Sequence, residues 1–546
     1  MSEAIHLAVC NSQVIRDLGG QVLQSPEAVN TIQSPAIQET DPRFGIEAAL
    51  SEFDANWSTQ MYFEKNDRAL NNILFGGGTR LFQQDLATLR NQLSKRSATG
   101  TLMSARHNIE YDFNNATGND TPNRPWTANY ELEMRHPLLQ GGGTRFNRIA
   151  GPNAVPGFYN GVLIARLNAD VSVLEFETSI RDLVSQVETA YWELYFAYRS
   201  FDATLAARDR ALATWRQVES WRQSGLRSGT PQRETQAREQ YFRLESELQN
   251  ALAGRQTGST PSQLFRGLGG VYTSERDLRA LMGVPINDGR LILPVTAPTA
   301  AHIVFDWEQS HAEATTRRME IQRQMLCIRR HELEITAAKN FLLPQLDVIG
   351  RYRWRGLGHN LLDSGDNLPQ FDNAYQDLFD GNFQEWQLGL ELTKPIGFRR
   401  AHAAVRHANL QLHRERAILS EQQRRITLEL SNAVAEKDRA YKLSQITLNR
   451  RIAAAEHLRA TEVLHDEADE NQKAFLLDQL LEAQRRLADA DIAFVRSTVD
   501  YMISIKQIHA AKGTLLDYNQ VNLTEGPWPS AAYELAADRN ARTIRH

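Results

Sequence analysis

Cysteine is almost missing from this 546-residue chain: Cys10 and Cys327 are its two thiols, and they lie in different halves. They make no CxxC pair and no metal-ligand spacing, which excludes a disulfide framework and leaves two free thiols as the simpler reading. Long apolar runs are missing as well. No stretch reaches the roughly 18 residues that a membrane-crossing helix needs. That absence says nothing about transmembrane β-strands, which are short, alternate in polarity and escape a hydropathy scan. An excess of one charge is also absent. The 61 Lys and Arg against 66 Asp and Glu leave a net charge of −5, which gives no reason to expect a nucleic-acid partner. With 42% hydrophobic residues and a mean hydropathy of −0.47, the chain is too apolar for wholesale disorder. Residues 1–18 lack a basic opening and a continuous apolar core, so they do not read as a signal peptide. Their spacing, with Ile5, Ala8, Ile15 and Leu18 on one side, suits an amphipathic helix. Either the protein is cytoplasmic or the chain begins after its export signal. No Ser/His/Asp set, paired-carboxylate constellation or HExxH occurs, so neither catalysis nor a metal or cofactor is expected.

What is present is helical periodicity on a large scale. Residues 162–227 contain no proline and a single glycine, Gly225, with apolar side chains recurring at three and four (Leu183, Val187, Ala190, Tyr191, Leu194). Residues 402–464 contain neither Gly nor Pro, and Leu412, Leu419, Ile426, Ala433 and Ala440 fall on a seven-residue repeat. That is a coiled-coil seam. A helix of about 65 residues is roughly 100 Å long. A shorter helix is expected to run back after each, over 234–253 and 474–512, which makes two antiparallel hairpins.

The remaining blocks read as extended. Strands are expected over 57–63, 99–113, 127–137, 346–354 and 385–392, with period-two alternation clearest at Tyr130, Leu132, Met134 and at Trp386, Leu388, Leu390, Leu392. Residues 130–137 (YELEMRHP) parallel 388–395 (LGLELTKP), and each is followed by glycine, arginine and a long helix. The chain therefore reads as a tandem duplication: a first repeat over 1–270, a second over 271–523, and a tail over 524–546. Each repeat runs helix, strands, long helix, turn, returning helix. The two strand pairs, 99–113 with 127–137 and 346–354 with 385–392, give four barrel strands per chain, too few to close a barrel. Three copies give twelve, with one face to lipid and one to water.

These blocks resemble the TolC-type outer-membrane efflux proteins. The resemblance rests on Pro344-Gln-Leu-Asp before a strand, Trp386-x-Leu-x-Leu-x-Leu-x-x-Pro395 before the long helix, Leu477-Asp-x-Leu-x-Glu-Ala-Gln-Arg-Arg-Leu487 and Ala511-Lys-Gly-Thr-Leu-Leu516 on the returning helix, and Ala190-Tyr-Trp192 and Gly225-Leu226 in the first half. It covers the chain to about residue 522. It implies an α+β membrane protein: a tandem-repeat protomer with very long helical hairpins and four transmembrane strands, trimerising into a twelve-stranded β-barrel on an α-helical barrel. The implied location is the bacterial outer membrane, with the helical barrel in the periplasm. The implied partners are outer-membrane lipid, a periplasmic adaptor and an inner-membrane transporter of an efflux or type I secretion system. Three departures stand out: no export signal, Gly19-Gly20 and three prolines where the first long helix belongs, and a long 65–125 segment that reads as an enlarged external cap.

The resemblance also marks candidate residues. Asp478 and Glu482, four apart on the returning helix, match the carboxylates that narrow the periplasmic aperture and select cations; the plainer reading is a solvated helix face. Arg233 holds the corresponding first-half position and is placed to pair with either acid. Gly225, Leu226, Arg227 and Ser228 match the hairpin tip on which the adaptor docks, while Gly225 alone also fits a helix C-cap. Gly76-Gly-Gly-Thr-Arg80 and Gly141-Gly-Gly-Thr-Arg145 lack phosphate-loop spacing and read as flexible strand joints. Trp57, Tyr62, Phe63, Tyr352 and Trp354 suit either an aromatic girdle or core packing. The competing function is a soluble coiled-coil scaffold, which has no use for alternating strands at matched places in two repeats.

Overall fold

The computed structural model describes residues 1–18, 21–71, 81–116, 125–151, 154–225, 229–256, 267–362, 371 and 373–522. The tail at 524–546 and the motif at 76–80 lie outside them. The chain divides into two compact units, each drawing on both halves of the sequence. One takes residues 1–34, 173–324 and 419–546, the other 35–172 and 325–418.

The first unit is helical. It contains α1 (Ser2–Cys10), the greater part of α2 (Val162–Gln223), α3 (Pro231–Ala253) and α4 (Val271–Met282). Ile5 and Ala8 of α1 pack with Val187, Trp192 and Leu194 of α2 and with Leu278 and Leu281 of α4 in one buried core. The amphipathic N-terminal helix stops at Cys10 instead of reaching Leu18. The helix expected ahead of the first strands does not form. Residues 21–53 make only short turns of helix, interrupted by Pro26, Pro35 and Pro42, as rings that remove an amide donor require. The second half keeps its lead-in helix, α5 (Met319–Asn340).

The second unit is built on one antiparallel sheet. Its strands are β1 (Ala55–Ala69), β2 (Leu81–Arg96), β3 (Leu102–Asn114), β4 (Trp126–Pro137), β5 (Gln345–Gly358) and β6 (Phe383–Thr393), in that spatial order. The class is α+β as expected, but the sheet has six strands where we counted four. Residues 65–125 are not a cap: β1 runs on to Ala69, and β2 and all of β3 lie in the same stretch. The long strand-following helix α7 (Arg399–Glu467) carries 69 residues without Gly or Pro; it belongs to this unit to Ile418 and to the first from Leu419, as does all of α8 (Glu470–Lys512), which follows after a two-residue break. Between β5 and β6 a short helix, α6 (Ala374–Asp380), seats Ala374 and Leu378 against Ala128 of β4. Gly356 and Gly358 of β5 leave the space it needs, because a side chain there would meet the α6 backbone.

Candidate functional site: a two-faced sheet and the returning-helix surface

Register decides which side chains share a face. One row across all six strands is Trp57, Leu93, Ala105, Leu132, Tyr352 and Trp386. The row beside it, pointing the opposite way, is Ser58, Gln92, Arg106, Glu131, Arg353 and Glu385. The alternation is thus carried through every strand. Of the candidate aromatics, Trp57, Phe63, Tyr352 and Trp354 lie on the apolar face and Tyr62 on the polar one. Away from the patch around Ala128 that α6 covers, the apolar face is also the open one: Phe63 is 74% exposed, Trp386 76% and Leu390 72%, whereas Glu131 on the polar face is 4% exposed. Large apolar groups outward and carboxylates inward is the reverse of a water-soluble sheet. It is the pattern of a wall between lipid and water.

The polar face holds an ion network. Arg106 bonds Glu131 and, at 2.7 Å, Glu133; Arg351 reaches Glu133 at 2.9 Å; Arg353 bonds Glu131 and, at 3.2 Å, Glu385. Arg355 pairs with Glu385 at 2.9 Å, and Arg135 holds Asp347 at 3.2 Å and Glu391 at 2.7 Å. Each arginine offers a planar fork of donors, so one guanidinium can serve acids on two strands. The network spans β3 to β6 and therefore ties the strands of the first half to those of the second.

Strand ends obey one rule. The β2–β3 turn, residues 97–101, is tight and closes on itself through the Ser97 amide to the Thr101 carbonyl (2.8 Å). It lies at the end of the sheet where β4 gives way to helix and α5 gives way to β5. At that end the Gly141–Arg145 motif is a strand joint: Gly143 (φ +94°) donates its amide to the Thr99 carbonyl, and Gly141 (φ +85°) donates to Asn340 Oδ1 at 2.8 Å. Its amides are used by the chain itself. At the opposite end the connections are long, 70–80, 115–125 and 359–382.

On α8, Leu477 and Leu481 are buried against Val218 of α2 and Ala237 of α3. Burying that stripe turns Asp478 and Glu482 outward, and both are exposed. Gln236 Nε2 of α3 donates to Asp478 Oδ1 at 2.9 Å, and Glu482 pairs with Arg486 at 3.0 Å. Arg233 is half-exposed on α3, and within the chain it pairs with neither acid; Gln236 and Arg486 occupy them instead. Gly225 closes α2 in the left-handed region (φ +70°), its amide donating to the Arg222 carbonyl at 3.2 Å, which is C-cap geometry. Leu226, Arg227 and Ser228 lie outside the described residues. Further along α8, His509 stacks on Tyr518 with ring centroids 4.2 Å apart. Burial, and then the charge of Lys512, hold its imidazole down to about 4. Nothing in the sequence singles this histidine out, because the rings it packs with, Phe305 and Tyr518, both lie off α8.

A sheet with lipid-type and water-type faces, joined to helical hairpins of this length, defines a class: the fold is that of the TolC-type outer-membrane channels. The CmeC outer membrane channel of Campylobacter jejuni superposes with a TM-score of 0.53 over 94% of this chain and 85% of its own, at 13% identity. The outer membrane protein VceC of Vibrio cholerae gives 0.56 over 94% and 96%, at 12% identity. The MtrE outer membrane channel of Neisseria gonorrhoeae, in its open state, gives 0.54 over 94% and 89%, also at 12% identity. No protein-family model matches the sequence, and no curated protein is significantly similar to it.

Proposed function

We propose that three copies of this chain form an exit duct in a bacterial outer membrane. The duct passes small molecules or proteins delivered by an inner-membrane transporter and a periplasmic adaptor. The observation that carries this reading is the sheet's reversed polarity: an apolar row crosses all six strands on one face, and the other face is polar throughout and ion-paired from β3 to β6. A soluble scaffold would have to leave that apolar face in water, where contiguous patches of such size promote association. The tight turn at the helix end and long connections at the other match the short periplasmic turns and long external loops of outer-membrane barrels. The helices then lie in the periplasm. In this reading the chain does no chemistry of its own, and the two repeats, 1–270 and 271–523, each supply strands and a hairpin. Asp478 and Glu482, solvent-facing on α8, set the charge of the aperture, with Arg233 of a neighbouring copy as the counter-charge. Gly225 to Ser228 form the adaptor-facing tip. The test is the mass of the extracted protein by light scattering. A particle near three times 61.9 kDa, stable only in detergent, is expected. A monodisperse monomer or dimer in plain buffer overturns the duct.

A further inference from the structure

Among the described residues the sheet ends in two edges with no strand beside them, one on β1 and one on β6. Natural edges exposed to solvent are usually blunted by proline, bulges or inward charges. Neither β1 nor β6 contains proline, and the register along each runs without interruption. Residues 55–63 of β1 carry no charge at all; nine residues are about the length a tilted transmembrane strand needs. On β6 the two acids, Glu385 and Glu391, share the polar face, and Trp386, Leu388, Leu390 and Leu392 occupy the other. Direction also fits. β1 starts at the helix end of the sheet and β6 finishes there, so the two edges meet antiparallel when a second copy is placed beside the first.

We propose that β1 of one copy pairs with β6 of the next, so that the β1–β2 hairpin is part of the barrel wall and three copies close eighteen strands instead of twelve. The inference rests on the duct reading and adds the subunit seam. The hairpin earns its place in the wall by its polarity: Trp57, Met61 and Phe63 of β1 and Leu89 and Leu93 of β2 extend the lipid-type face, while Ser58, Gln60, Gln92 and Thr88 extend the other. Closure through β3 would require β2 to leave a ladder of thirteen registered pairs, from Gln84↔Asn114 to Arg96↔Leu102. Because barrel diameter grows roughly in proportion to strand number, eighteen strands make a mouth roughly 1.5 times as wide as twelve.

Paired cysteines test the seam in the full chain, on a background with Cys10→Ser and Cys327→Ser. One cysteine replaces Ser58, Gln60 or Tyr62 on β1 and the other Gln387 or Gly389 on β6, all on the polar face; the comparison pair is Asn108→Cys on β3 with Gln387→Cys. A disulfide needs Cα atoms within about 7 Å, so oxidation converts monomer into a reducible covalent trimer only along the true register. The expected result is trimer with a β1–β6 pair and none with the β3–β6 pair. A particle that is trimeric by light scattering but crosslinks through β3–β6, or through no β1–β6 pair, overturns the eighteen-strand seam and leaves the duct standing. A protein that stays monomeric in detergent overturns both.

Discussion

The two halves of the chain enter the sheet by different routes. The second half delivers two strands behind an unbroken 22-residue helix, Met319–Asn340. The first half delivers four strands behind a proline-broken stretch of short turns. Yet the apolar and polar rows pass from Trp57 to Trp386 and from Ser58 to Glu385 without a change of face. The lesson is that one alternation sets the face of every side chain, whatever precedes the strand. A hairpin with no counterpart in the other half still obeys the same alternation, because a slip of one residue would turn its whole apolar set to the other face.

Arginine substitution puts the greatest strain on this comparison. Leu388→Arg in the second-half strands and Met61→Arg in the added hairpin are each expected to cost about 2–4 kcal/mol if they meet lipid near mid-depth, read as lost insertion into the outer-membrane fraction. Gln387→Arg, one residue away on the other face, should insert normally. Normal insertion of Met61→Arg beside failed insertion of Leu388→Arg would break the equivalence of the two halves. Next comes the link between them. Glu131→Gln removes the carboxylate shared by Arg106 of the first half and Arg353 of the second. Lost charge-assisted bonds cost about 1.5–3 kcal/mol, so the thermal midpoint in detergent should fall, and an unchanged midpoint would mean that this carboxylate adds nothing to the link between the halves.

A smaller effect is expected at His509, at the end of the second-half returning helix. The unfolded chain binds this proton near pH 6.5, the folded chain only at about 4. Unfolding therefore takes up a proton in that window, and stability falls as pH drops from about 6.5 to about 4. Denaturant midpoints of the parent and His509→Gln should converge as the pH is lowered, and parallel curves would show the residue to be silent. The smallest effect on stability, none, is expected for Asp478→Asn with Glu482→Gln. That double variant should lose cation preference in single-channel recordings, and Arg233→Gln should shift it the opposite way, since the two halves present opposite charges at these positions.

Four of the six strands and all four arms of the long hairpins were legible in the sequence to within a few residues, because each carries one unmixed period. Strand β1 was visible as well at Trp57–Phe63, but its partner was not. In β2 the leucines at 86, 89 and 93 are spaced by three and four, and glutamine, arginine and lysine fill the gaps, which reads as helix. On its lipid-type face Asn91 interrupts the apolar series, an exception made tolerable by Thr59, whose hydroxyl donates to Asn91 Oδ1 at 2.9 Å. An unpaired β1 was itself the missing signal, since a single strand cannot satisfy its own amides. The site residues followed a different logic. The exposure of Asp478 and Glu482 could be foreseen from the burial stripe at Leu477 and Leu481. The partners they take could not, since Gln236 reaches Asp478 from another helix.

The bare margins of the sheet have a consequence for biogenesis. Alternate residues along the fifteen of β1 and the eleven of β6 turn their amides and carbonyls away from the sheet, so a solitary chain is adhesive toward any extended polypeptide it meets. Under the proposed three-copy duct, maturation becomes a race between finding its own kind and being captured by the wrong strand. The yield of the native form should depend on how many copies arrive together and on how well the margins are shielded in transit.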